Sequence, residues 1–266
     1  MRSWREELYD GGLRRFEASI ATLQLVDVAR RRLADALGVP GGTLPMVHRR
    51  WSAEALYAAL EPARGALAGW QAIRSWSAAW LVGLGERVED WVMDPPRLRV
   101  IAPGAGALPA AAPAYFAHRD TWYANPRCQL NVWMPLFEVG PNDGFRVYLD
   151  AFGQPVANDS SRFNWASWRL GGWQAPGPPL RPYPRLLGPE PAGHHVDVSG
   201  ESAFFMVFSA AHLHRTLPRP PEAAHSRISI DFRLVHRGDH RAGRGAPDPD
   251  NQSQGDTSAL YQPLTG

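Results

Sequence analysis

Residues 226–235 read SRISIDFRLV. Arg227, Ser229, Asp231 and Arg233 share one parity; Ile228, Ile230, Phe232 and Leu234 share the other. Successive side chains on a strand point to opposite faces, so this stretch is a strand with one polar and one apolar face. QLNVWMPLFEV at 129–139 alternates in the same way, with Gln129, Asn131 and Trp133 on one side. RLRVIAP at 97–103, FRVYLDAF at 145–152 and the apolar SAFFMVFSA at 202–210 add further strand candidates between Gly- and Pro-containing breaks.

Upstream the texture is helical. Leu13, Phe16, Ile20, Leu23 and Val26 recur at three- and four-residue steps, which predicts a helix over 3–37 stopped by GVPGG at 38–42. Ser52 is a cap for a second helix that ends at Pro62, and 65–84 reads as a more buried helix. Helices followed by many strands predict an α+β class. A helical layer over 1–95 supports an antiparallel sandwich or barrel over 97–236, and residues 1–236 form a single domain. Residues 171–193 are dense in Gly and Pro and read as a surface loop or lid edge. Residues 237–266 are polar and rich in Gly, Pro and Asp, which predicts a flexible C-terminal tail.

Composition excludes several functions. A chain of 266 residues with 44% hydrophobic content is enough for one well-packed domain. The net charge is +2 and no basic stripe stands out, so nucleic acid is not an expected partner. All 28 Lys+Arg residues are Arg, which removes Schiff-base and P-loop chemistry. Cys128 stands alone, so neither an intrachain disulfide nor a thiolate zinc site is expected. No apolar run reaches the roughly 18 residues of a membrane span, and MRSWREELYDGG has no apolar signal core. A cytoplasmic, reducing location is the expectation.

The chemistry concentrates in two places. His118-Arg119-Asp120 sets an imidazole and a carboxylate two residues apart. If extended, both face one point, and a distant His completes a two-His, one-carboxylate face that suits Fe(II) and leaves positions open. His212 and His214 both qualify; His214 is preferred because Arg227 follows it by thirteen residues. Arg grips a carboxylate through two parallel N–H groups and Ser adds a third donor, so Arg227 and Ser229 read as a clamp for a dicarboxylate cosubstrate. Gln129, Asn131 and Trp133 are candidates to face that cosubstrate. Tyr123, Arg127 and Asn164 are candidates for substrate contact, Arg127 through a substrate carboxylate. HRDTWYAN at 118–125 also fits a kinase catalytic loop, but the chain has no Lys and no DFG.

HRDTW at 118–122, NVWMPL at 131–136, the apolar strand leading into HLH at 212–214, and SRISIDFR at 226–233 carry a resemblance. Together they resemble the double-stranded β-helix (cupin-type) Fe(II)/2-oxoglutarate oxygenases, in the phytanoyl-CoA-dioxygenase-like and bacterial small-molecule hydroxylase branches. The resemblance covers about residues 97–236 and implies a jelly-roll core. It implies that His118, Asp120 and His214 hold Fe(II) and that Arg227 binds the 2-oxoglutarate carboxylate. It also implies O2 and a small-molecule substrate, here a carboxylate-bearing metabolite such as an amino acid or sugar acid. Hydroxylation of a C–H bond is the expected outcome, with oxidative cyclisation or desaturation as alternatives. Halogenases of this family replace the metal-binding Asp with a small residue, so Asp120 speaks against halogenation. A metal-binding cupin acting without 2-oxoglutarate would not need the Arg227 and Ser229 pair.

Overall fold

The computed structural model describes residues 2–107, 111–171 and 183–264. Much of the Gly- and Pro-rich stretch expected as a loop therefore lies outside the described residues. Ser3 caps α1 (Trp4–Tyr9): its hydroxyl accepts from the Glu6 amide, and the Glu6 carboxylate accepts from the Ser3 amide. Gly11 then turns the chain at φ +97°, where an added Cβ would meet the Phe152 ring at 2.8 Å. β1 (Leu13–Phe16) follows, and α2 (Ile20–Leu37) starts at Ser19. The helix expected over 3–37 is thus helix, strand, helix. The spacing of Leu13 and Phe16 imitated a helix, but Phe16 is fixed by stacking on Phe205, centroids 4.7 Å apart. The Ser19 hydroxyl accepts from the Thr22 amide. Replacing Ser19 by Ala removes that cap and is expected to cost about 1 kcal/mol. The check is a lower urea midpoint at unchanged slope.

Ser52 caps α3 (Ala53–Ala59) as expected. Pro62 does not end a helix; it sits in the first turn of α4 (Glu61–Ala68), where its missing N–H has no bond to lose. The chain breaks again at Gly69 and Trp70 before α5 (Gln71–Gly83), so 65–84 is two helices rather than one. The remaining elements are β2 (Trp91–Met93), β3 (Arg97–Ile101), β4 (Gln129–Pro135), β5 (Phe145–Tyr148), α6 (Trp165–Gly171), β6 (His195–Asp197), β7 (Phe205–Ser209), β8 (His214–Thr216), β9 (Arg227–His236), α7 (Arg237–Arg241) and β10 (Gln262–Pro263).

The strands form two sheets with antiparallel pairings. The larger runs β1-β7-β4-β9-β2-β10, with β3 beside β2 along β9. The smaller runs β6-β5-β8, and a bridge from His118 to His214 extends it. From β3 onward the chain crosses repeatedly between the sheets, which makes a double-stranded β-helix with helices at its N-terminal side. Parity then assigns the faces. Leu130, Val132, Ile228, Ile230, Phe232 and Leu234 are buried in one core with Leu25, Val26 and Leu33 of α2 and Ile73 of α5. The opposite face of β4 and β9 lines the space between the sheets, where Trp133 packs with Phe145, Val147 and Phe208.

Residues 237–264 are not a loose tail. Thr257, Tyr261 and Leu264 are buried, and β10 pairs with β2. Their polar composition suggested disorder, but the polar groups have specific partners. Asp250 Oδ1 accepts from Trp122 Nε1 at 2.9 Å and Asp248 Oδ1 from Thr121 Oγ1 at 2.8 Å. Thr257 Oγ1 donates to Asn125 Oδ1 at 2.7 Å. This segment therefore wraps the loop that carries His118 and Asp120.

Candidate metal centre

The loop is held from behind. Arg119 is fully buried and points away from its two neighbours; it donates to the carbonyls of Ala211, Ala151 and Gln154 and pairs with Asp250. Arg119 is itself extended, at φ −104° and ψ 140°, and Asp120 opens a short helical turn over 120–123. His118 and Asp120 consequently face the same side, as the two-residue spacing requires. Backbone bonds then bring the distant strand alongside: His118 N donates to His214 O at 3.0 Å, and His214 N to His118 O at 2.9 Å. Ala124 closes the turn at φ +60°, a left-handed position that Ala adopts only at a cost. Its amide donates to Ser253 Oγ at 3.1 Å, one more tie from the C-terminal segment.

His118 Nε2 lies 3.3 Å and His214 Nε2 3.9 Å from Asp120 Oδ1. One ligand atom from each of these residues falls within 4.8 Å of the others. Both rings are turned the same way by carbonyl acceptors: His118 Nδ1 lies 2.7 Å from Phe116 O, and His214 Nδ1 2.9 Å from His212 O. A carbonyl only accepts, so each Nδ1 carries a proton, and Nε2 is the nitrogen turned toward Asp120. Burial, with a smaller contribution from His118, pushes the His214 imidazolium down to about 4, so the ring is neutral at pH 7. Burial alone would raise the Asp120 carboxyl, but the Arg233 guanidinium beside it holds it well below the usual range.

His212 is excluded from this group by its position. It sits in the turn between β7 and β8, where strand parity does not apply. Its ring is fully buried against Phe152, centroids 4.5 Å apart, and Nε2 lies 3.2 Å from Gly11 O.

The other expected site residues divide. Arg227 and Ser229 lie on the inner face of β9, both buried. Arg227 Nη1 donates to the carbonyl of Gly144, and its guanidinium lies 5.8 Å from the Trp133 ring centroid. Arg227 Nε and Ser229 Oγ are buried with no partner. Burial lowers the Arg227 guanidinium to about 10, which leaves it charged at neutral pH. Unpaired buried donors on a cation are costly, so this wall is shaped for an anion. Arg219 Nε and Tyr115 Oη are likewise buried and unpaired. Arg219 pairs with Asp143 at 2.8 Å, and the Asp143 carbonyl accepts from Arg227 Nη1 at 3.4 Å, which places Arg219 beside Arg227.

Asn131 and Trp133 stay on the inner wall, opposite Arg233 and Asp231 in register. Gln129 does not face a cosubstrate. Its amide is consumed: Nε2 donates to Asp120 Oδ2 at 3.2 Å and Asn131 Oδ1 at 2.8 Å, and Oε1 accepts from Tyr261 Oη. Tyr123 packs edge-on against His118, centroids 5.3 Å apart. Arg127 is exposed and donates to Gly243 O at 2.7 Å, on an outer surface, because the chain reverses at Pro126 before β4 begins. Asn164 Oδ1 accepts from the Ser167 amide and its Nδ2 donates to Gln254 Oε1, so it caps α6 rather than contacting a ligand. The surrounding stretch SSRFNWASW, residues 160–168, is packing: Phe163 meets Tyr123 at 5.6 Å and Trp168 at 5.8 Å.

Four polar groups were missed: Arg233, Asp94, Arg99 and Tyr261. Arg233 Nε donates to Asp120 Oδ2 at 3.0 Å, and Asp94 Oδ2 accepts from Arg233 Nη1 at 3.2 Å. Arg99 pairs with Asp231 at 2.7 Å. Parity placed Arg233 on the Arg227 face and so was a signal for it. For Asp94 and Tyr261 no sequence signal existed.

No family model and no curated protein matches the chain. Solved structures similar to it include the non-heme alpha ketoglutarate dependent epimerase SnoN from nogalamycin biosynthesis, at 14% identity over 98% of both chains and TM-score 0.45. EvdO2 from Micromonospora carbonacea var. aurantiaca, complexed with 2-oxoglutarate, is 14% identical over 87% of this chain and 89% of that one, TM-score 0.47. The apo form of the non-heme monooxygenase ThoJ is 14% identical over 87% of this chain and 76% of that one, TM-score 0.45.

Proposed function

We propose that the protein is an Fe(II)- and 2-oxoglutarate-dependent dioxygenase that oxidises, and most simply hydroxylates, a C–H bond of a small molecule. The observation that carries this reading is a pairing across the space between the two sheets. Two imidazole Nε2 atoms and one carboxylate oxygen converge beside the smaller sheet, and Arg227 and Ser229 keep buried, unpaired donors on the inner face of the larger. The donor set fits Fe(II): two imidazoles and one carboxylate, with the remaining directions open. Iron with 2-oxoglutarate supplies the oxidation of a C–H bond by O2, yielding succinate and CO2.

The chain's own residues hold and orient. His118, Asp120 and His214 would hold the metal. Arg227 and Ser229 would hold the far carboxylate of 2-oxoglutarate, with Asn131 and Trp133 forming the wall between. Tyr123, set against His118, would border the substrate. The carboxylate recognition expected of Arg127 passes to Arg99, which is paired with Asp231 but one-third exposed on the inner wall. A carboxylate-bearing metabolite therefore remains the proposed substrate class, and the reducing cytoplasm is its proposed setting. Among the described residues, no helix is long and apolar enough to cross a membrane.

Anaerobic addition of Fe(II) and then 2-oxoglutarate is expected to produce a weak visible charge-transfer band. Aerobic turnover with a panel of small carboxylates and their amides is then followed by succinate and product mass. A gain of about 16 mass units reports hydroxylation, and a loss of about 2 reports cyclisation or desaturation. Bound iron and 2-oxoglutarate without succinate from any member would reject a small-molecule substrate.

A further inference from the structure

We propose that Tyr261, from the C-terminal segment, is a positioning residue for the metal carboxylate. It acts through Gln129 and keeps Asp120 a one-oxygen ligand. The inference rests on the metal reading above.

Asp120 has two oxygens, and they are used differently. Oδ1 faces the two Nε2 atoms. Oδ2 faces away and accepts from Arg233 Nε at 3.0 Å and Gln129 Nε2 at 3.2 Å. A carboxylate so engaged cannot swing Oδ2 toward a metal without abandoning both donors. Each donor is held in turn. Arg233 is fixed by Asp94, whose other oxygen accepts from the Arg233 amide at 2.7 Å.

Gln129 is fixed by its own chemistry. An amide can sit either way round, and only one way suits the carboxylate, which accepts and never donates. The NH2 end must face Asp120, and its second hydrogen goes to Asn131 Oδ1. That leaves Oε1 buried and in need of a donor. Tyr261 Oη is that donor, and it lies 132 positions along the chain. Without it, Oε1 is orphaned, and rotating the amide to relieve it would set an acceptor against Asp120 Oδ2. Tyr261 is itself held: it is buried, and the next two residues form β10 against β2.

The consequence is specific. Loss of one hydroxyl, which itself bonds no ligand atom, loosens one of the two holds on Oδ2, so that Asp120 rotates more readily and offers both oxygens, which uses up a coordination position. Outer partners of metal ligands typically account for 10- to 100-fold in metal affinity. The test uses Co(II) alone, added anaerobically to wild type, Tyr261→Phe and Gln129→Met, with visible d–d bands and thermal unfolding of the metal-free proteins recorded in parallel. Wild type is expected to bind one Co(II). Tyr261→Phe is expected to remain folded, to bind roughly 10- to 100-fold more weakly and to show altered bands. Gln129→Met, which removes the link from its other end, is expected to do the same and serves if Tyr261→Phe fails to fold. Wild-type affinity and bands in a folded variant of either kind would overturn the positioning role. A wild type that takes up no Co(II) would instead overturn the metal reading itself, and the inference with it.

Discussion

Replacing His214 by Ala is expected to abolish Fe(II) binding at concentrations that saturate the wild type, whereas His212→Ala retains it. The asymmetry follows from where the two rings point. His214 Nε2 is one of three atoms that converge, and nothing nearby replaces it: among the described residues, His118, Asp120 and His214 are the group of His, Cys, Asp and Glu side chains that could hold a metal. His212 lies between Phe152 and Phe208 with its nitrogens against backbone carbonyls. Its loss empties part of a packed interior and lowers stability, leaving the ligand atoms in place. Anaerobic Fe(II) titration by calorimetry, with thermal unfolding alongside, separates the two. An iron-dead His212→Ala with an iron-competent His214→Ala would reverse the assignment.

The second large effect is at Arg227. Arg227→Ala is expected to raise the 2-oxoglutarate concentration needed for half-maximal binding by about thirty- to several-thousand-fold. This corresponds to the roughly 2–5 kcal/mol lost when one partner of a buried charged pair is removed. Ser229→Ala removes one bond to a charged group and is expected to cost less, about 1.5–3 kcal/mol. The measurement is anaerobic titration of 2-oxoglutarate into the Fe(II) protein, followed by the charge-transfer band. The ordering matters as much as the size, because Arg227 brings charge and a fork of donors while Ser229 brings a single hydroxyl. Unchanged affinity in Arg227→Ala would move the clamp elsewhere, first to Arg219, whose Nε is also buried and unpaired nearby.

The strands and their faces were legible in the sequence because parity is a local property. SRISIDFRLV and QLNVWMPLFEV announced which residues would share a wall, and the structure sets Asn131 against Arg233 and Trp133 against Asp231. The two-residue spacing of His118 and Asp120 was legible for the same reason, Arg119 being extended between them. Helix boundaries were less so. Periodicity over 3–37 ran across Gly11 and Ser19 without noticing β1, because a strand that stacks Phe16 on Phe205 needs a partner 189 positions away.

What tertiary structure alone decided was the direction of side chains outside regular elements and the partners of polar groups. His212 and His214 share a parity, yet one is in a turn and the other on β8. Arg127 follows the metal loop in sequence, yet the turn before β4 sends it outward to Gly243. Gln129 is on the expected face, but Tyr261 and Asp120 claim its amide before any ligand can. The polar C-terminal stretch is ordered because its Asp, Ser and Thr side chains meet buried donors and acceptors of the 118–125 loop. Alternation and composition describe a residue by its neighbours in the chain. A buried hydrogen bond is set by neighbours in space, and many of those that shape this site join residues more than a hundred positions apart.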